Sequence, residues 1–349
     1  MNGRRALAVL LVLAACLGAA AARANEPVTL RVVGGLANVA QFDQHEAPFW
    51  RERLPAMTQG LLRAEIMPFD RSGLRAQEMV RLIRLGVVSF GTILSGVAAA
   101  DDPVLGVFEQ PLLFPSAQDL RRVVDELRGA LTQHLRERHQ IELLAVYAYP
   151  AQVVWCRDAF TSLDDLRGRR VRVSGVSQLE LMAALGASPV VLPFAETPLA
   201  LRSGAVTCAV TGTLTGYQIG LPAATRFLSA VPITWGVSFF AANPRAWDSL
   251  SATHQAQLRR GIAEVEAEIW RAAEEETATG IGCATGRAPC PAGPAGSLTL
   301  VGGEPGASRL AEIARTTVLP NWFDRCGEPC RELWSRAANA LPSHGGRPR

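Results

Sequence analysis

Leu166-Arg167-Gly168-Arg169-Arg170-Val171-Arg172-Val173 opens the stretch that decides the fold. Val171 and Val173 alternate with arginines, a period of two that predicts a strand over 170–173. A helical pattern at 177–185 follows and is closed by Gly186, a C-cap residue. A strand is then predicted at 190–192, a helix at 196–202 closed by Gly204, and a strand at 206–210. Short strands alternating with helices imply a parallel sheet covered by helices.

The same order runs upstream. Strands are predicted at 28–33, 61–67, 87–94 and 141–149, with helices at 42–59, 74–85 and 118–139 between them; 152–156 is extended. Downstream, 233–242 is a long apolar run, 251–278 one long helix, 279–306 a Gly/Pro-rich irregular loop, and 307–340 helical again. Glu264, Glu266, Glu268 and Glu274 to Glu276 lie mostly off the apolar stripe of the long helix, which predicts a solvated face and not a metal site. The 349 residues, at about 150 per domain, fit two α/β lobes, each with its own sheet.

The N-terminus reads as an export signal. Arg4 and Arg5 precede an apolar run from Ala6 to Ala22, which ends in the small-x-small form Ala22-Arg23-Ala24. Leu13-Ala14-Ala15-Cys16 also resembles a lipoprotein box, so a lipidated Cys16 is the alternative exit. Cleavage after residue 24 removes three arginines and no acid, leaving 32 of each sign and no global field to attract nucleic acid. No second segment is apolar over a length that spans a bilayer.

Composition narrows the chemistry. The chain has no lysine, so all 35 basic residues are arginine. That excludes Schiff-base, pyridoxal, P-loop and kinase-lysine chemistry, and it favours carboxylate or phosphate recognition by planar guanidinium. There is no HExxH and no nucleophile elbow; Gly212-Thr213-Leu214-Thr215-Gly216 is the nearest pattern and carries threonine. His45-Glu46 reads as an isolated helix-surface pair. Six cysteines remain after export: Cys156, Cys208, Cys283, Cys290, Cys326 and Cys330. In an oxidising compartment disulfides are the default. Two local bridges, Cys283–Cys290 and Cys326–Cys330, with Cys156–Cys208 left over, are the simplest pairing. A zinc site from the last four is the rival. No cofactor is called for. An exported two-lobed chain without a catalytic set suggests a binding protein.

The ordered set of Leu166–Val173, Ala184-Leu185-Gly186-Ala187-Ser188-Pro189-Val190, Leu192-Pro193-Phe194-Ala195-Glu196 and Ala200-Leu201-Arg202-Ser203-Gly204-Ala205-Val206 resembles the periplasmic solute receptors of tripartite ATP-independent (TRAP) transporters, dicarboxylate-receptor type. Ile66-Met67-Pro68-Phe69, Gly73-Leu74, Glu78, Leu85-Gly86-Val87-Val88 and Pro111-Leu112-Leu113-Phe114 agree with it. The resemblance implies a two-lobed periplasmic-binding-protein architecture. Each lobe is a mainly parallel sheet with flanking helices, and crossover strands join the two. The implied limits are 1–24 signal peptide, 25–150 the first part of lobe I, 151–238 lobe II, and 239–349 a return to lobe I plus long C-terminal helices.

By the same resemblance Arg172 clamps a ligand carboxylate and Phe194 packs over the ligand. Gln152 falls where many members carry a second arginine, and Thr211 where members carry an asparagine. Trp235, near the returning crossover strand, is a further candidate for the cleft. The implied partners are a small organic acid and TRAP membrane permease subunits, in the periplasm. An enzyme of small anions on the same architecture is the alternative, as is a sensor ectodomain; neither finds a nucleophile near Arg172 or a fused domain in the sequence.

Overall fold

The computed structural model describes residues 27–287, 289–302 and 307–341. The proposed signal segment and Cys16 lie outside them. Among the described residues ten strands form one mixed sheet: β1 (Val28–Gly34), β2 (Leu62–Pro68), β3 (Phe90–Leu94), β4 (Glu142–Cys156), β5 (Arg170–Val173), β6 (Ser188–Val191), β7 (Cys208–Gly212), β8 (Phe227–Ser229), β9 (Thr234–Ala242) and β10 (Thr299–Val301). Their order is β2-β1-β3-β9-β4-β7-β5-β6, with β8 on β4 and β10 on β8. Two parallel groups, β2-β1-β3 and β6-β5-β7, flank the antiparallel pair β4 and β9. These two long strands are the crossovers, and they join the halves through a continuous ladder.

The crossing point is visible in the register. Ala148 pairs with Val237 and Ala151 with Trp235, so Tyr149 and Pro150 together face Gly236. Pro150 has no N–H to give the ladder, and a bulge is where a strand tolerates that. The sequence separates 141–149 from 152–156, and the fold runs them through Pro150 as one strand.

Helices cover both faces. The helix α1 (Ala117–His139) starts at Ser116, whose hydroxyl accepts the Asp119 N–H at 3.1 Å, and ends at Gln140 in the left-handed region. Its buried stripe is Leu120, Val123, Val124, Leu127, Leu131 and Leu135, spaced three and four apart. In the second half α2 (Val176–Ala184), α3 (Thr197–Ser203) and α4 (Thr213–Gln218) follow β5, β6 and β7. The long helix α5 (Ala252–Thr285) runs about 50 Å. It packs on β4 through the Trp270 indole, which donates to the Val146 carbonyl at 2.8 Å, and Gly280 lies against the backbone of α4. One helix therefore backs both halves. Among the described residues, no helix is long and apolar enough to cross a membrane.

Three expectations need correction. Residues 239–349 do not simply return to the first half. β10 pairs with β8, and Leu310 and Val318 share a core with Val171, Leu181 and Met182 of the second half. The cause is that α5 ends beside the second half, so the chain leaving it lands there. Glu266 is buried and not solvated, because Arg121 (2.9 Å) and Arg128 of α1 both donate to it. Glu46 is buried too; it accepts from the Gly35 N–H (2.7 Å) and Gln41 Nε2 (2.6 Å), and burial raises its pKa to about 7.

All six cysteines pair as the simplest reading has it: Cys156–Cys208, Cys283–Cys290 and Cys326–Cys330. This removes the rival zinc site, since the thiolates it needs are spent. Cys156 and Cys208 sit directly opposite each other at the ends of β4 and β7. Cross-linking positions 52 residues apart restricts the unfolded chain more than the seven-residue separation of Cys283–Cys290 does. Replacing Cys156 and Cys208 together with alanine is expected to lower stability by about 2–4 kcal/mol. Urea denaturation checks it, and the Cys283→Ala/Cys290→Ala pair is expected to lose less.

Candidate functional site

The C-terminal ends of the parallel strands open onto a cavity of about 720 Å³ between the halves. Such strand ends are where open α/β sheets bind ligands. Leu36, Phe69, Leu74, Leu94 and Val97 line it from the first half, and Leu192, Phe194 and Thr211 from the second.

Arg172 is the centre of the site. In β5 it pairs with Val190 of β6 and Ala209 of β7, while Val171 and Val173 turn to the core of the second half. Arg170 shares its face but lies exposed at the strand start, whereas Arg172 is only 3% exposed. Its Nε donates to the Leu192 carbonyl at 3.0 Å and its Nη1 to the Val210 carbonyl at 2.9 Å. These two bonds fix the guanidinium plane. Nη2 makes no hydrogen bond among the described residues, and no acid pairs with the side chain. Burial lowers its pKa to about 10, so it stays charged at neutral pH.

The other candidates divide. Thr211 is buried in β7 and lines the cavity; its hydroxyl makes no protein hydrogen bond among the described residues. Gln152 reaches the wall from β4, and its Oε1 accepts from Gln178 Nε2 and from Thr234 Oγ1 (3.2 Å). Gln178 in turn accepts from the Ser174 N–H at 3.0 Å, so the amide is held in a network. Phe194 stands in the turn Phe194–Glu196 of the second half and packs on the edge of the first half's core. Trp235 does not belong with them. It is buried in the core, where its indole donates to the Phe114 carbonyl at 3.0 Å. Its neighbours Gly236 and Val237 line the cavity instead.

Two lining residues were not anticipated. Tyr149 brings a buried hydroxyl without a hydrogen-bond partner among the described residues. Glu109 closes the 3₁₀ turn Pro103–Glu109, and its Oε1 accepts from the Gly96 N–H (2.9 Å) and the Val237 N–H (3.3 Å). Burial raises its pKa to about 7. A lone acid at the end of an apolar run, after Phe108, was the available signal. At the rim, Arg75 is mostly exposed and paired with Glu78 at 2.8 Å. Across the cleft the halves nearly touch: a Cβ on Gly175 would lie 2.7 Å from the Gly96 carbonyl oxygen.

A family model described as bacterial extracellular solute-binding protein, family 7 (DctP), matches residues 37–281. The solute-binding protein RD1_1052 of Roseobacter denitrificans is 28% identical over 194 residues, 55% of this chain and 58% of that protein. The aligned part thus spans little more than half of that relative. Two solved structures share the fold. One is DctP7, a Bordetella pertussis extracytoplasmic solute receptor binding pyroglutamic acid (22% identity, TM-score 0.79, 89% of this chain and 99% of that one). The other is a marine metagenome TRAP solute-binding protein specific for pyroglutamate (17% identity, TM-score 0.80, 90% and 99%). With the family match extending over most of its length, this chain belongs to family 7 of the bacterial extracellular solute-binding proteins.

Proposed function

We propose that this receptor captures a small organic monocarboxylate in the cleft and delivers it to a TRAP membrane permease after export to the periplasm. The observation that carries the reading is Arg172, a buried, charged guanidinium with no acid partner among the described residues and an uncommitted Nη2 beside the cavity. A buried charge is stable only when paired. A carboxylate supplies the missing charge and accepts a charge-assisted hydrogen bond. At about 4 Å and an effective dielectric near 20 the attraction is roughly 4 kcal/mol.

A single carboxylate fits better than two. Gln152 stands where a second arginine would be, and Arg75 is already neutralised by Glu78. The remaining wall is mainly apolar in area, with polar contacts from Thr211, Thr215, Ser174 and Tyr149 and with Asp70 and Glu196 as further acids, which suits a compact body bearing one carboxylate and a few polar groups. Pyroglutamate, which the two similar receptors bind, has this form. The bulge at Tyr149 and Pro150 opposite Gly236 offers a hinge, with 25–150 and 151–238 as the moving lobes and α5 as the common support.

Thermal shift and calorimetry test the reading with three probes: pyroglutamate, its neutral lactam 2-pyrrolidinone, and succinate. Pyroglutamate is expected to raise the Tm and the other two to raise it less. Equal binding of the neutral lactam overturns carboxylate recognition. Arg172→Ala is expected to weaken pyroglutamate binding at least about 100-fold, a loss of about 3 kcal/mol, while the circular dichroism spectrum is retained.

Glu109 adds a pH dependence. Its carboxyl is neutral below about pH 7 and becomes an anion in the same cavity above it. Affinity for an anion is therefore expected to fall from pH 6 to pH 8.5. In Glu109→Gln, measured by calorimetry across that range, the profile is expected to flatten.

A further inference from the structure

Away from the cleft, three metal-binding side chains converge on lobe I. Asp102 precedes the turn Pro103–Glu109, and His134 and His139 lie in the last part of α1. Oδ1 of Asp102 accepts the Val104 N–H at 3.2 Å, which orients the carboxylate. Its Oδ2 lies 2.6 Å from Nε2 of both imidazoles. The rings meet edge to face with centroids 5.8 Å apart, so both Nε2 atoms point at one spot. One donor atom from each residue lies within 4.8 Å of the others.

We propose that Asp102, His134 and His139 form a binding site for a divalent first-row transition ion of the zinc class. Two imidazole nitrogens and one carboxylate oxygen select zinc, copper or nickel over calcium or magnesium. Asp102 is buried while both histidines keep partial access to water, so solvent can complete the coordination shell. The Nδ1 atoms make no protein hydrogen bond among the described residues, so each ring can carry its proton there and offer Nε2 as a lone pair. Metal–ligand distances of about 2.0–2.2 Å in a tetrahedral shell place neighbouring donors about 3.3–3.6 Å apart, so the N–O separations must widen by about 0.7–1.0 Å. Side-chain rotation of these partly exposed rings at a helix end would have to supply that movement. Arg138, 3.7 Å from Oδ2, is a nearby cation; its mostly exposed side chain can swing away. The bound ion would fasten the start of the turn that ends in Glu109 to the end of α1.

The test is calorimetric titration of untagged, disulfide-intact protein with zinc chloride at pH 7.5. A single zinc per chain and a rise in Tm are expected. Asp102→Asn, which keeps the acceptor for Val104, and His134→Gln are each expected to weaken binding at least about 100-fold. His254→Ala, a histidine outside the site, is expected to bind as the parent does. Two nitrogen couplings in the Cu(II) electron paramagnetic resonance spectrum identify the imidazoles. No heat and no Tm change with zinc in excess overturns the proposal. So does parent-like affinity in both Asp102→Asn and His134→Gln.

Discussion

A guanidinium withdrawn from water, with only two carbonyls for company, is the constraint on which the site depends. Two neutral dipoles orient Arg172 but leave its charge uncancelled. The protein absorbs that cost within a well-packed second half, where β5 is held on both sides by parallel neighbours. A carboxylate entering the cleft therefore meets a group whose plane is already set. Little side-chain entropy is left to lose on binding, which is the advantage of a guanidinium over a flexible ammonium. The chain carries the preference through its whole composition, since it uses arginine to the exclusion of lysine.

The sheet explains how such a site can open and still hold together. β4 and β9 cross between the halves side by side, and the register shifts twice, between Leu143 and Ala145 and again at Tyr149 and Pro150. The second shift is the one beside the cavity, since Tyr149 and Gly236 both line it, and it is where the proposed hinge lies. Behind it lies α5, bonded to both halves: Trp270 reaches β4, and the Glu276 carbonyl accepts from Thr213 of α4 at 3.3 Å. The front is free to move while the back is fastened.

Much of this architecture was legible in the residues. Alternation around Arg172, the glycine caps at Gly186 and Gly204, and the helical stripes are local signals, and the elements they predict formed close to where expected. The signals failed where the outcome depended on distant partners. Glu266 sits among acids that look solvated, and only the approach of α1 buries it. β10 is three residues long and needs β8 to exist. Alternation alone could not separate Arg170 from Arg172; exposure at the strand end did. Trp235 was adjacent to the cleft in sequence, but its indole is held away from it by the Phe114 carbonyl, a partner 121 residues upstream. Glu109 escaped notice because a single acid carries no periodicity.

The near contact of Gly96 with Gly175 is where the two mouths of the receptor meet, backbone to backbone. Gly96 also lines the cavity, and a side chain at Gly175 would limit how closely the two halves approach. A single methyl at Gly175 would act as a doorstop, holding the vestibule ajar. Affinity in such a molecule is thus adjustable from its lips as well as its throat, leaving chemical selectivity at Arg172 untouched.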